Sequence, residues 1–126
     1  MSRIVWACAN CVAAVCLWIM GQSSAGAAGA MAVGACAAYG YAFDFKMVEE
    51  ARVAALANCV GKRCRLIGVM QHACGAFAID GHNACGAHGY AVAPRLGQAE
   101  NIALQYCYKY GGRDCVIRAF ACDRKG

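Results

Sequence analysis

The chain has 126 residues, 61% of them hydrophobic and only 15% charged, with a single proline. That composition excludes a disordered tail, a proline-rich linker and a two-lobed enzyme. The formal charge is +5, or +4 once the first 27 residues are set aside, too mild for a dedicated nucleic-acid binder.

Met1-Ser2-Arg3 is a short positive start, followed by an apolar run from Ile4 to Met20 and small residues at Ala25-Gly26-Ala27. This reads as a secretory signal peptide over residues 1–27, leaving a single mature domain at 28–126. A membrane anchor wants about 20 apolar residues, and the run here is shorter and contains Asn10, so no stable membrane insertion is expected after cleavage. Val33-Gly34-Ala35-Cys36 loosely resembles a lipid-attachment box but lies too far past the apolar run. Of 11 cysteines, Cys8, Cys11 and Cys16 fall within the signal. The other eight give a density expected in an oxidising compartment, so the protein is expected to be secreted or periplasmic.

The mature part is one unit used twice. Gly29-Ala-Met-Ala-Val33 matches Gly75-Ala-Phe-Ala-Ile79, and Ala35-Cys-Ala-Ala-Tyr-Gly-Tyr-Ala42 matches Ala84-Cys-Gly-Ala-His-Gly-Tyr-Ala91. Ala55-Leu56, Cys59 and Cys64 match Ala103-Leu104, Cys107 and Cys115. The repeats run over about 28–73 and 74–126, a typical repeat length. Each opens with a short strand alternating small and larger apolar residues. Tyr39, Tyr41, Phe43 and Phe45 then make one face of the next strand aromatic, with His88, Tyr90, Val92 and Pro94 in the second copy. A helix follows, with Val48, Ala51, Arg52, Ala55, Leu56 and Cys59 on one face and Ala99, Ile102, Ala103, Tyr106 and Tyr110 on its counterpart. Neither helix has a convincing N-cap, whereas Gly61 and Gly111-Gly112 end them. Cys64–Met70 and Cys115–Ala121 read as closing strands. The fold class is α+β: a small disulfide-stapled domain of two pseudo-symmetric β-β-α-β repeats, with an antiparallel sheet on which two helices pack. On this reading Tyr106 and Tyr110 belong to the core and only Tyr108 is exposed.

Repeat symmetry narrows the cysteine pairings. Cys59–Cys64 and Cys107–Cys115 occupy the same place in each copy and pin helix to strand. Cys36 and Cys85 are equivalent positions that a twofold axis can bring together, which leaves Cys74–Cys122. Each long bridge closes a loop of about 49 residues and contributes about 4 kcal/mol by chain entropy.

Candidate chemistry is sparse. His82, Cys85 and His88 are spaced at threes, with His72 near Cys74, but no fourth ligand is evident and no metal or other cofactor is expected. No serine or threonine follows Ser24, which excludes a serine hydrolase. The glycines form no phosphate-cradling loop. Asp44 beside the aromatic strand, or His88, would have to serve a hydrolase. Lys62, Arg63, Arg65 and Arg113 form a candidate anion patch, or simply solvated cations near helix C-termini.

The repeated blocks, the pairs Cys59/Cys64 and Cys107/Cys115, Gln71-His-Ala-Cys-Gly75 and Ala54-Ala-Leu-Ala57 together resemble the bacterial exported family known as domain of unknown function 4189. The resemblance spans essentially all of residues 28–126. It implies a small secreted or periplasmic domain and supplies no catalytic residue. Trp6 and Trp18 both lie in the signal, so the strands lack the tryptophan of the family pattern, and Cys36/Cys85 is an addition to it. If an aromatic strand face is the family's binding surface, its version here is Tyr39, Tyr41, His88 and Tyr90. The expectation is a non-enzymatic binding or inhibitor module recognising an envelope component or a protein, not nucleic acid. The alternatives are a small cell-wall glycan or phosphodiester hydrolase, and a self-associating structural envelope protein.

Overall fold

The computed structural model describes residues 28–123. The expected signal peptide, residues 1–27, lies outside the described residues, as do Arg124 and Lys125.

The first repeat consists of β1 (Ala28–Val33), β2 (Tyr39–Phe45), α1 (Val48–Asn58) and β3 (Arg65–Met70). The second consists of β4 (Ala73–Ile79), β5 (His88–Ala93), α2 (Leu96–Lys109) and β6 (Val116–Asp123). Each forms its own three-stranded antiparallel sheet, in the orders β2-β1-β3 and β5-β4-β6. The fold is therefore α+β with two similar β-β-α-β units, and it has two small sheets rather than one continuous sheet.

The central strands explain this layering. β1 is buried along its whole length, Ala-Gly-Ala-Met-Ala-Val, and β4 is buried from Ala73 to Ala78. Because side chains alternate across a strand, each central strand serves two cores. Ala30 and Ala32 meet Ala51 and Ala55 of α1, and Ala76 and Ala78 meet Ala99 and Ala103 of α2. Met31 and Val33 meet Phe77, Met70, Ala119 and Ala121 in a third core. The molecule is thus layered helix, sheet, sheet, helix, with alanine against the helices and the bulkier side chains between the sheets.

Alanine lets the helices lie low, and one glycine per repeat completes the approach. A Cβ on Gly40 of β2 would collide with the backbone of Ala55 and Asn58 in α1 and of Cys59 just after it. The equivalent Gly89 of β5 would meet Ala103 and Cys107 of α2 in the same way. The middle residue of Tyr39-Gly40-Tyr41 and His88-Gly89-Tyr90 is therefore a helix-seating position.

Both helices begin without a side-chain cap, at Met47 and Arg95. They end differently. α1 stops at Asn58, whereas α2 continues past the buried Cys107 to Lys109 and is followed by Gly111 at φ +93°. That left-handed conformation suits glycine and closes the helix.

The disulfides are Cys59–Cys64, Cys107–Cys115, Cys74–Cys122 and Cys36–Cys85. The first two tie each helix to the start of its closing strand. Cys74 and Cys122 face one another in the β4–β6 register. Cys36–Cys85 is the covalent link between the two repeats, joining the short turn after β1 to the β4–β5 loop. Four disulfides among the described residues suit an oxidising compartment. Among the described residues, no helix is long and apolar enough to cross a membrane.

Candidate functional site

Contacts between the layers place β3 opposite β5 and β2 opposite β6. The aromatic residues of β2 and β5 therefore sit at opposite ends of the sandwich. Tyr39 and Tyr41 stack in a ladder on β2, ring centroids 6.2 Å apart, and Phe43 continues it at 6.1 Å. Arg118 of β6 lies over the Tyr39 ring at 5.2 Å, and its Nε–H donates to the Ala37 carbonyl at 3.3 Å. At the other end Arg65 of β3 lies over Tyr90 at 5.8 Å, and exposed His88 meets Phe77 edge-on at 6.0 Å. Tyr39, Tyr41, His88 and Tyr90 do not form one continuous surface.

The β5 end carries the larger concavity, a groove of about 910 Å³. Its floor is the run Gly86–Val92, including most of β5, and one wall is Arg65 with Ile67–Val69 of β3. Tyr106 of α2 and Tyr110 just after it form the other wall, stacked at 6.2 Å, with Lys109 Nζ 5.8 Å from the Tyr106 ring. These tyrosines correct the sequence expectation. Tyr106 is 40% and Tyr110 66% exposed, and the buried stripe of α2 is Ala99, Ala103 and Cys107. Helical spacing put the tyrosines on the core side, but the buried stripe is a narrow i, i+4 row through Ala99, Ala103 and Cys107, and Tyr106 and Tyr110 lie on its flank. Leu56, 39% exposed, likewise lies off the buried row of α1, which is Ala51 and Ala55.

A smaller cavity of about 400 Å³ adjoins the groove through Arg65, Gly86 and His88 and also contains Arg63. Of the candidate anion patch, Arg63 and Arg65 thus share one surface. Lys62 is exposed in the turn before β3, where its carbonyl accepts from Ala35 N–H at 2.9 Å. Arg113 lies in the α2–β6 loop and lines neither cavity; its carbonyl accepts from Gly81 N–H at 3.1 Å. No aspartate or glutamate lines either cavity.

The remaining candidates are structural. Cys85 is bonded to Cys36, and among the described residues no three histidine, cysteine or acidic side chains are grouped to hold a metal ion. His82 Nε2 lies 2.6 Å from Asp114 Oδ2, pairing the β4–β5 loop with the α2–β6 loop. That hydrogen bond and the carboxylate charge raise the His82 pKa above its ordinary value. Asp80 Oδ1 accepts from the backbone N–H groups of His82 and Asn83, at 2.7 and 3.2 Å. The bond from His82 leads in lowering its pKa. Asp44 lies on β2, at the far end from His88, so those two residues are not assembled into one site. Its N–H donates to Oδ1 of the buried Asp123 at 3.3 Å.

Fold and groove define a class: an internally duplicated, disulfide-stapled α+β domain with an aromatic-walled groove at one sheet edge. The model of the family described as Domain of unknown function (DUF4189) matches residues 28–122, and the chain belongs to that family. No curated protein and no solved structure matches the chain.

Proposed function

We propose that the domain is a secreted or periplasmic binding module, without catalytic activity of its own, whose ligand seats in the groove between β3, β5 and α2. The observation that carries this reading is the wall of two stacked, solvent-facing tyrosines opposite Arg65 and Tyr90. Large, stiff aromatic rings beside a guanidinium provide contact area and a charge anchor at low entropic cost. The groove holds His88 as its one histidine and is lined by no carboxylate, cysteine, serine or threonine.

The double variant Tyr106→Ala, Tyr110→Ala tests this. Both rings are exposed, so the variant should fold as wild type by circular dichroism. It should also lose retention of envelope components on the immobilised domain. Unchanged retention would move the site elsewhere. Turnover of cell-wall glycan or a phosphodiester that disappears with His88→Ala would replace the binding reading with a hydrolase.

A further inference from the structure

We propose that the open edge of β5 is a docking strand for an extended, acid-bearing segment of a partner protein, which adds as a fourth strand to the second sheet. This rests on the groove being the ligand site and names its occupant.

β5 pairs with β4 alone and is a sheet edge. The register runs one-to-one from Ile79↔His88 to Cys74↔Ala93, and Asp80 N–H donates to the Ala87 carbonyl at 3.0 Å. In an antiparallel pair, hydrogen-bonded positions alternate. Gly89 and Ala91 therefore bond to β4, while the main-chain groups of His88, Tyr90 and Val92 point toward the groove. An edge strand with unpaired N–H and C=O groups is a template for another strand.

The first repeat differs at the corresponding position. On its β2 edge the Tyr41 carbonyl is occupied by Asn58 Nδ2, which donates to it at 3.1 Å. Counting back from the matched Cys59 and Cys107, the residue equivalent to Asn58 is Tyr106, and Tyr41 is equivalent to Tyr90. Tyr106 has no amide to offer and stacks instead on Tyr110. The same fold thus places a side-chain donor on one edge carbonyl in the first copy and an aromatic wall beside the equivalent carbonyl in the second.

Charge selects the occupant. Arg65 and His88 line the slot, Arg63 lies in the adjoining cavity, and no acid lines either. Residues 1–27 contain no aspartate or glutamate, so the chain's own leader does not complement the slot. A second copy would bring another basic groove against it. A partner strand carrying Asp or Glu, with apolar residues between, fits both the backbone edge and the charge.

The test is selection from a displayed library of random peptides of about ten residues, long enough for one strand. The target is the oxidised domain, with Tyr106→Asn for counter-selection. Tyr106→Asn transplants the first repeat's side-chain donor at an exposed position, and Arg65→Glu is a second variant that reverses the charge. Enriched peptides should alternate apolar and acidic residues and bind wild type about tenfold tighter than either variant. They should also slow hydrogen exchange at the His88, Tyr90 and Val92 amides. N-methylating alternate peptide amides removes strand donors and keeps the side chains, so about tenfold loss is expected. No enriched sequence, enrichment of basic peptides, or binding indifferent to N-methylation overturns the proposal. An acidic oligosaccharide that protects Tyr106 and Tyr110 without altering the β5 amides, with no peptide enriched, overturns strand docking and leaves the binding module standing. Self-association through β5 at micromolar concentration also overturns it.

Discussion

The two repeats share a plan and differ most where their helices end. In the first, α1 stops at Asn58, and the next residues turn through Gly61 toward Cys64, which is bonded to Cys59. In the second, α2 continues to Lys109, and Tyr110 N–H donates back to the Tyr106 carbonyl at 3.0 Å. The longer end gives Tyr106 a stacking partner and raises a wall beside β5. A duplicated fold can thus give its two copies different strand edges with a few residues at one helix terminus, leaving the shared packing of Gly40 and Gly89 untouched.

The covalent frame should show the largest asymmetry. Replacing Cys36 and Cys85 by alanine removes the only bridge between repeats among the described residues, which spans 49 positions. It should lower stability by about 4 kcal/mol in the chain-entropy model, against about 2 kcal/mol for Cys59 and Cys64, five positions apart. Non-reducing denaturant titrations of the two double variants measure the ratio, and equal losses would mean that the repeats dock tightly without their covalent link.

The helix seats should behave alike. Gly40→Ala and Gly89→Ala each force a Cβ into helix backbone and should each cost about 3 kcal/mol. Gly97→Ala in α2, with open space around it, should instead stabilise by about 0.5 kcal/mol. Thermal unfolding of the three variants checks this, and a large difference between Gly40→Ala and Gly89→Ala would break the equivalence of the copies.

Asn58→Ala should cost only about 0.5 kcal/mol, because its hydrogen bond is solvent-exposed. Its clearer effect should be faster hydrogen exchange along the β2 edge, making the first copy resemble the second. The smallest effect belongs to His82. Its pKa is raised in the folded protein, so its pairing with Asp114 contributes fully below the unfolded imidazole value and fades as pH rises through the folded one. A ring-proton NMR titration should show a midpoint above the ordinary imidazole range that returns toward it in Asp114→Asn; an unchanged midpoint would remove Asp114 as the cause.

Much of the fold was legible because duplication exposes equivalence. Matching Tyr39-Gly40-Tyr41 to His88-Gly89-Tyr90 and Cys59 to Cys107 delimits both units, and alternation and helical spacing supply their elements. Alternation alone could not show that the units form separate sheets. In β1 and β4 both faces are apolar, so the pattern does not say which face meets a helix and which meets the other sheet. The groove was harder still to read. Tyr106 fell within the helical stripe of Ala99 and Ala103 by spacing, and the spacing does not say how narrow the buried row is. Val60 and Gly61 after Cys59, against Tyr108, Lys109 and Tyr110 after Cys107, was the one available signal that the second helix runs on.

The sequence by itself determined the repeat, the two helices and their uncapped starts, and the family, because these depend on residue order and local stereochemistry. Tertiary structure decided what flanks each strand edge and which side chains wall it. Those outcomes depend on where a helix ends relative to a sheet built from residues far apart in the chain, and on main-chain groups that every residue type carries alike.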